Sequence, residues 1–283
     1  MSHFSIAGLQ LDLKPGNNLD KIANEVRFTK AVYPWVDMVL LSELCVYGPD
    51  KANAQAIPGE ASEFFAALAR ETGLYLVAGS IFAKDGDDIL NLTLVYSPEG
   101  KEIARYAKMY PFEPYEAGIT PGQAFCIFDI EDVGRFGVSI CYDMWFPETT
   151  RALTWLGAEV ILHPTMTGTL DRDAELSIAR ASAITNQVYF FDINGAGSIG
   201  NGRSVVIGSE GNVIHQAGSG REIIPVKIDL NHLRETREKG LMNLGQPLKS
   251  FRDHWRDFPQ YQPGAAVKTF PDLGPLQKPG AKT

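Results

Sequence analysis

The sequence predicts an α/β protein in which helices cover mixed β-sheets in layers. Segments typical of strands and of amphipathic helices alternate along the first 240 residues. Two groups of strand-like segments, at 74–106 and 204–228, contain tight turns, which favours antiparallel pairs beside parallel strands. With 283 residues and 45% hydrophobic content, the chain can bury a large core. These observations predict a layered fold with mixed rather than purely parallel sheets.

The first half of the chain begins with a predicted strand and helix. Residues 4–13 alternate apolar and polar side chains, and the Pro-Gly-Asn-Asn stretch at 15–18 ends this pattern and offers an asparagine helix cap. Leu19, Ile22 and Val26 then follow helical spacing to about residue 31. The other predicted elements of this half are strands at 38–41, 74–82, 90–96 and 103–106 and a helix at 59–72.

The second half continues the alternation. Residues 136–140 form a short apolar run typical of a buried strand, and Leu176, Ala179 and Ala183 indicate a helix over 171–186. The other predicted elements are helices at 148–156 and 231–239 and strands at 160–163, 188–193, 204–207, 213–216 and 223–228.

A change of composition at Gly240 divides the chain. Residues 1–240 contain the periodic segments and are predicted to form one domain, whereas 241–283 are rich in proline and carry aromatic residues. Because aromatic side chains favour burial, we expect this C-terminal arm to pack over the domain or over a neighbouring subunit. For the residues beyond 264, terminal disorder is the alternative.

Charge and cysteine content exclude several classes of function. A net charge of −8 argues against nucleic acid or an anionic membrane as the main partner. No apolar run approaches the length of a membrane span. The three scattered cysteines, Cys45, Cys126 and Cys141, match neither a disulfide framework nor a zinc site, so we expect a cytoplasmic protein.

Cys141 stands where the apolar run 136–140 ends, and Pro147 follows at a position suited to the first turn of a helix. A thiol between a strand and a helix is well placed to act as a nucleophile. Most free cysteines, however, are buried structural residues. On these residues alone both interpretations stay open.

Two further ionisable residues, Glu43 and Lys108, also follow apolar runs. Ligand sites gather at the carboxyl ends of strands in open α/β sheets, although either residue alone is more often a solvated loop residue. The chemical roles of the three are complementary. Glu43 could take the thiol proton of Cys141, and Lys108 could stabilise an oxyanion together with the backbone N–H of Tyr142.

Three motifs resemble the signature regions of the nitrilase superfamily of carbon–nitrogen hydrolases. They are LLSELCVYG around Glu43, RYAKMYPFEPYE around Lys108 and GVSICYDMWFPE around Cys141. The resemblance continues through GAEVILHP and GSEGNV and covers residues 4–230. It implies a four-layer α-β-β-α sandwich, with Glu43 as general base, Lys108 as stabiliser of the transition state and Cys141 as nucleophile. The implied reaction hydrolyses a small-molecule amide through a cysteine thioester and requires no metal or organic cofactor.

The family often has a second glutamate after the lysine, and Glu113 and Glu116 are both available. The spacing of KMYPFEPYE resembles that of the aliphatic amidases and formamidases and selects Glu116. Its implied role is to orient Lys108 and the substrate nitrogen by accepting hydrogen bonds. Glu113 is expected to be solvated.

The resemblance also implies a homodimer or a higher homo-oligomer. Family members pair by packing helices of two subunits together. Glu148, Arg151 and the helix at 171–186 are expected near that junction, with the C-terminal arm reaching over the partner.

The substrate is less well determined. We expect Met144 and Trp145 to form one wall of the pocket, and His163, Thr165, Met166 and Thr167 to form the other. These residues favour a neutral or weakly polar amide. The sequence around Cys141 resembles N-carbamoylputrescine amidases, whereas the Lys108–Glu116 stretch resembles aliphatic amidases. An N-carbamoyl amine or a nitrile is therefore an alternative substrate on the same triad.

Two other functional interpretations compete with this assignment. His163 ends a predicted strand and could serve as the base of a Cys–His hydrolase, although it is more simply a residue near the site. Alternatively, the chain could be a binding or scaffold subunit in which Cys141 is merely buried.

Overall fold

Two β-sheets stack face to face in the computed structural model, and helices cover both outer surfaces. The model describes residues 3–262, 265 and 270–277. The helices are α1 (Leu19–Val32), α2 (Glu60–Thr72), α3 (Pro147–Trp155), α4 (Arg172–Asn186), α5 (Leu230–Lys239) and α6 (Pro247–Asp253). The strands of the first half are β1 (His3–Gln10), β2 (Asp12–Leu13), β3 (Met38–Leu41), β4 (Gln55–Ala56), β5 (Tyr75–Val77), β6 (Ile81–Asp85), β7 (Asp88–Tyr96) and β8 (Glu102–Ala107). Those of the second half are β9 (Cys126–Ile130), β10 (Gly134–Val138), β11 (Val160–Thr165), β12 (Tyr189–Asn194), β13 (Ala196–Gly197), β14 (Val205–Ile207), β15 (Val213–Gln216) and β16 (Glu222–Asp229).

Both large sheets are mixed. The first has the order β16-β1-β3-β5-β7-β6-β4, with β8 on β7, and β1, β3 and β5 are parallel. The second has the order β15-β14-β12-β11-β10-β9, and β10, β11 and β12 are parallel. The remaining pairs in each sheet are antiparallel except for β4 with β6. The predicted mixed sheets are therefore confirmed.

The buried apolar residues form three main layers, one between the sheets and one under each layer of helices. Strand β3 illustrates the cause. Met38 and Leu40 face the layer between the sheets, whereas Val39 and Leu41 face α1 and α2. Successive side chains of a strand point to opposite faces, so a strand that is covered on both faces must be apolar throughout. The predicted four-layer α-β-β-α sandwich is confirmed.

One predicted strand, at 74–82, is divided in the structure into β5 and β6. Gly79 lies between them with a φ of +65°, and a Cβ there would come within 2.0 Å of the Ser42 carbonyl oxygen. Only glycine fits this close approach without strain. The division matters for function because it lets the chain pass beside the residues that follow β3.

The C-terminal arm begins against α3. The Phe251 ring of α6 packs edge-on against Trp155 with 5.2 Å between the ring centroids, and the Arg151 guanidinium lies 5.4 Å from the Phe251 centroid. Residues 263–264, 266–269 and 278–283 lie outside the described residues. The alternative of terminal disorder, which was made for the end of the chain, therefore falls in part on residues that the structure does not describe. None of the helices within the described ranges is long and apolar enough to cross a membrane.

Candidate active site

Cys141 occupies a sharp turn at the carboxyl end of β10. Its φ is +46°, a left-handed conformation that non-glycine residues seldom adopt. A 3₁₀ helix (Cys141–Trp145) starts at this residue, and Pro147 then occupies the first turn of α3. The Tyr142 N–H lies in the first turn of the 3₁₀ helix, where backbone N–H groups have no partner within the helix. The turn therefore combines a nucleophile with a donor for an oxyanion.

Asp143 holds this turn in place from below. Its carboxylate accepts hydrogen bonds from the Ile140 N–H (2.8 Å), the Tyr110 N–H (2.9 Å) and the Tyr106 hydroxyl (2.7 Å). Burial raises the pKa of the Asp143 carboxyl to about 6, against the effect of these three donors. The residue ties the end of β10 to β8 and to the loop after it.

Glu43 is delivered by β3 and held by a second tight turn. Leu44 has a φ of +47°, and its N–H donates to the Ser80 hydroxyl (3.0 Å), which the glycine turn at Gly79 brings alongside. The Glu43 N–H donates to the Thr165 carbonyl at the end of β11 (3.2 Å). This contact links the carboxyl ends of β3 and β11 across the two sheets, so the sandwich itself positions Glu43.

Lys108 lies between two carboxylates. Its Nζ is 2.8 Å from Glu43 Oε1 and 2.6 Å from Glu116 Oε2. Asn91 of β7 donates from Nδ2 to Glu43 Oε1 (2.8 Å) and to Glu116 Oε1 (3.0 Å). Glu113, by contrast, is exposed. The structure thus pairs Glu116, and not Glu113, with the lysine.

Burial dominates the electrostatics of these groups. It raises the pKa of the Glu43 carboxyl, and the adjacent Lys108 ammonium only partly offsets this effect. Burial would by itself lower the pKa of Lys108, but the surrounding acidic groups outweigh it and keep the lysine cationic. Burial and the Glu43 charge raise the pKa of the Cys141 thiol well above its ordinary value. Cys141 therefore rests as a thiol, and its sulfur would have to lose the proton to act as the predicted nucleophile.

A cavity of about 140 Å³ opens onto these groups. Its lining consists of Glu43, Leu44, Pro49, Lys51, Phe82, Lys108, Phe112, Tyr115, Glu116, Cys141 and Met166. A second cavity of about 570 Å³ shares Pro49 and Met166 with the first and is lined mainly by the loop that contains Gly197 and Asn201. The inner cavity is small beside the roughly 300–1,000 Å³ of sites for drug-sized ligands. It suits a small acyl group.

The structure does not bring Met144 and Trp145 into this cavity. The 3₁₀ helix directs Met144 into the core under α3 and α4, where its side chain is fully buried. Trp145 packs partly against the same core, and both residues line a separate cleft near the C-terminal arm. Sequence proximity to Cys141 was the basis of their assignment, and the helical turn sends their side chains away from the substrate side.

The residues predicted for the other wall of the pocket differ in how close they lie to the cavity. Met166 lines the cavity, and the Thr167 hydroxyl lies 4.0 Å from Cys141 Sγ. Thr165 is fully buried and donates to Asp192 Oδ1 (2.8 Å). Of the four, Met166 and Thr167 are the residues that the structure places beside the nucleophile and its cavity.

His163 is buried at the back of β11, where its Nδ1 hydrogen-bonds the Ser139 hydroxyl (2.7 Å). Burial lowers the pKa of its imidazole to about 4, so it is neutral at physiological pH. It does not line the catalytic cavity, whereas Glu43 and Lys108 do. The geometry favours the Glu–Lys–Cys set over a Cys–His pair.

Comparison with known proteins identifies the family. A family model described as carbon–nitrogen hydrolase matches residues 9–238, which is most of the chain. The chain belongs to the carbon–nitrogen hydrolase family. This membership confirms that the protein is an enzyme acting on carbon–nitrogen bonds, and the interpretation as a binding or scaffold subunit gives way to it.

Curated relatives and solved structures of the carbon–nitrogen hydrolase cover nearly the same region. Omega-amidase NIT2 of Xenopus tropicalis is 30% identical, and human omega-amidase NIT2 is 28% identical; each alignment covers 84% of this chain and 93% of the relative. Nit3 of Saccharomyces cerevisiae, a member of branch 10 of the nitrilase superfamily, superposes with a TM-score of 0.77 at 27% identity, covering 84% of this chain and 94% of Nit3. An amidase from Nesterenkonia sp. does so with a TM-score of 0.74 at 25% identity, covering 84% and 94%. The assignment to the nitrilase superfamily is confirmed.

Sequence reasoning missed several residues of this hydrolase site. Asn91 interrupts the apolar run of β7, and a polar residue within such a run was a usable signal. Lys51 belongs to a short 3₁₀ helix and reaches the cavity only through the tertiary fold. No periodic pattern marks such a residue.

Proposed function

We propose that this hydrolase cleaves a small amide to a carboxylic acid and ammonia or an amine through a thioester on Cys141. One observation carries the proposal. Cys141, Glu43, Lys108 and Glu116 line a single small cavity, with the lysine bridging both carboxylates at 2.6–2.8 Å.

In the first half-reaction, Cys141 Sγ attacks the carbonyl carbon as the thiol proton passes to Glu43. The carbonyl π electrons move to oxygen, where the Lys108 ammonium and the Tyr142 N–H stabilise the oxyanion. The oxyanion then collapses and the carbon–nitrogen bond breaks. Glu43 returns its proton to the departing nitrogen, and the acyl group remains on sulfur.

In the second half-reaction, water attacks the thioester carbon and gives a proton to Glu43. The same two donors stabilise the second oxyanion. The carbon–sulfur bond breaks, the proton returns to Sγ, and the carboxylic acid leaves. Glu116 accepts from Lys108 and from the Phe112 N–H (2.6 Å) in the resting site, so it keeps the lysine in position throughout.

The substrate that we favour is an ω-amide with an acidic group at its far end. Two observations support it. The curated relatives are named omega-amidases, and the cavity lining combines apolar side chains with one exposed cation, Lys51, whose ammonium donates to the Ala117 carbonyl and has further protons to donate. A carboxylate on the substrate would pair with this ammonium while the amide reaches Cys141.

A substrate series tests this assignment. We expect ammonia release from ω-amides of dicarboxylic acids to exceed that from neutral aliphatic amides, N-carbamoyl amines and nitriles. Lys51→Met should raise KM for an acidic ω-amide about 10- to 100-fold, because a charged hydrogen bond is worth roughly 1.5–3 kcal/mol. The KM for a neutral amide should not change. Lys101→Met, at an exposed turn, is the matched control.

Three results would contradict the proposal in different ways. Turnover of nitriles alone would exclude an amidase. Equal effects of Lys51→Met on acidic and neutral amides would exclude Lys51 as the carboxylate ligand. Ammonia release that persists in Cys141→Ala would exclude the nucleophile itself.

We further propose that the hydrolase acts as a homodimer that pairs through α3, α4 and α6. These helices and the segment after them line an apolar cleft of about 650 Å³. Trp155, Trp255 and Phe258 on this face are 47%, 55% and 44% exposed. Exposed aromatic residues that form one patch are typical of an interface. A second copy would cover them and extend the sandwich.

Analytical ultracentrifugation tests the pairing. We expect a dimer for the unaltered protein and a monomer for Trp255→Glu, since an unpaired carboxylate would be buried between the subunits. Leu170→Glu, at a position that is 97% exposed and not part of this cleft, should remain dimeric. A monomeric wild-type protein would refute the proposal.

We place the enzyme in the cytoplasm, because its nucleophile must stay reduced. Cys45, Cys126 and Cys141 are all free and buried.

A further inference from the structure

A second cluster of buried charges lies near Cys141, at the start of α4. Arg172 at the start of α4 is fully buried and pairs with Glu175 Oε2 (3.0 Å) and Asp192 Oδ2 (2.8 Å). Its other terminal nitrogen donates to the Arg203 carbonyl (2.9 Å). Both carboxylates are almost inaccessible to solvent. The proposed mechanism makes no use of this cluster.

A hydroxyl connects the cluster to the nucleophile. Thr167 Oγ1 donates to Glu175 Oε1 (2.9 Å), and the same oxygen is 4.0 Å from Cys141 Sγ. The threonine backbone is fixed as well, because its N–H donates to Asn194 Oδ1 (2.8 Å) and its carbonyl accepts from Asn194 Nδ2 (2.9 Å). The backbone that carries the hydroxyl is therefore fixed beside both neighbours.

The hydrogen bond from Thr167 to Glu175 determines what the Thr167 hydroxyl can offer to the Cys141 sulfur. A hydroxyl has one proton, so while Thr167 donates it to the Glu175 carboxylate, only a lone pair is left for sulfur. A lone pair of the hydroxyl oxygen can accept a hydrogen bond from the thiol, but it cannot stabilise a thiolate. Arg172 holds Glu175 in place and compensates its charge. The cluster therefore sets the direction in which the Thr167 hydroxyl donates.

We propose that Glu175, acting through the Thr167 hydroxyl, keeps Cys141 in its thiol form until substrate attack. Glu175 is then a positioning residue for the nucleophile, and this role rests on Cys141 being the nucleophile of the proposed function. The chemistry benefits because the thiol proton is the one that Glu43 later transfers to the leaving nitrogen. A nucleophile that rested as a thiolate would lack this proton.

The charges around Cys141 are consistent with this role. Burial raises the pKa of Glu175 to about 7, so the carboxylate form predominates above neutral pH. Glu175 adds to the rise in the pKa of the thiol that burial and Glu43 produce, while Lys108 opposes it. The charged groups that line the cavity with Cys141 are Glu43, Lys51, Lys108 and Glu116. The other ionisable groups on the elements packed around it are Asp143, His163, Arg172, Glu175 and Asp192.

The test measures alkylation of Cys141 by iodoacetamide between pH 7 and 10, with mass spectrometry of the Cys141 peptide to exclude Cys45 and Cys126. Glu175→Gln can donate from its amide to Thr167 Oγ1, which frees the hydroxyl proton for sulfur. We expect the alkylation profile to move to lower pH by about one unit, so that the rate at about pH 9, where Glu175 of the unaltered protein is ionised, rises about tenfold.

A second pair of variants separates the hydroxyl from a direct charge effect. In a Thr167→Val background, Glu175→Gln should shift the alkylation profile much less, because only the direct charge of Glu175 remains. In a Thr167→Ser background the full shift should return. A shift of the same size with and without the hydroxyl would show that charge alone acts and would overturn the proposal. No shift in any background would also overturn it.

Three controls separate a loss of the Thr167–Glu175 effect from a general change on α4, from misfolding and from a wrong substrate. Asp173→Asn makes the same kind of change on α4, at an exposed carboxylate that pairs with Arg203, and should leave the profile unchanged. Thermal denaturation identifies any variant that does not fold, and Thr167→Ser remains informative because it leaves the ion cluster intact. Alkylation requires no substrate, so it does not depend on whether the proposed amide is correct.

Discussion

Replacing Glu43 with glutamine should lower kcat/KM about 10²–10⁴-fold, the usual contribution of a general base. The amide has the shape of the carboxylate, and its oxygen can still accept from Lys108 Nζ and Asn91 Nδ2, which both donate to Glu43 Oε1 at 2.8 Å. It cannot accept the thiol proton. Steady-state ammonia release measures the loss, and the fold should stay intact.

The same variant should make Cys141 more reactive towards iodoacetamide. Glu43 raises the pKa of the thiol through its charge, so its removal increases the fraction of thiolate at neutral pH. Turnover and alkylation are therefore expected to change in opposite directions. Parallel loss of both would indicate a disturbed site and would contradict the role of Glu43 as base. Glu71→Gln, in an exposed pair with Arg27, is the matched control.

Replacing Arg172 with methionine should reduce the free energy of unfolding by about 3–5 kcal/mol, the cost of breaking a buried ion pair by removing one partner. The change leaves Glu175 and Asp192 buried without their cation. Urea denaturation followed by circular dichroism measures the loss. Arg27→Met removes one side of an exposed pair and should cost no more than about 1 kcal/mol.

The loss of unfolding free energy caused by Arg172→Met should depend on pH. Burial and the Asp192 charge raise the pKa of Glu175, and Arg172 opposes this rise, so the variant should hold the Glu175 pKa still further above its value in the unfolded chain. A carboxyl whose pKa is higher in the folded state binds its proton more tightly there, so stability falls as the pH rises through that value. The loss should be larger at pH 8 than at pH 5. A loss independent of pH would contradict this account, and adding Asp192→Asn should recover part of it at pH 8.

Much of the fold followed from the sequence because strands buried on both faces must be apolar throughout and end abruptly in polar residues. Glu43, Lys108 and Cys141 were visible for this reason, and the structure brings all three to one cavity. Glu116 followed from the resemblance of the stretch after Lys108 to the aliphatic amidases and formamidases. The division at Gly79 was not visible, since the glycine matters only through its contact with the Ser42 carbonyl.

The surroundings of the nucleophile were decided by tertiary structure. Residues next to Cys141 in sequence, such as Met144, point into the core because a 3₁₀ turn rotates successive side chains around its axis. Arg172 and Glu175 are ordinary polar residues at a helix start in the sequence, and only the packing of α4 against β12 and β14 buries them.

The sequence by itself predicted the layered fold, and it singled out Glu43, Lys108 and Cys141 as the proposed base, oxyanion stabiliser and nucleophile. These residues stand out because each follows an apolar run, and the motifs around them carry the resemblance to the family. The tertiary structure alone decided which side chains touch the thiol, because burial and direction depend on elements distant in the chain. Cys141 was predicted as a nucleophile, and the structure adds the Thr167–Glu175–Arg172 chain behind it.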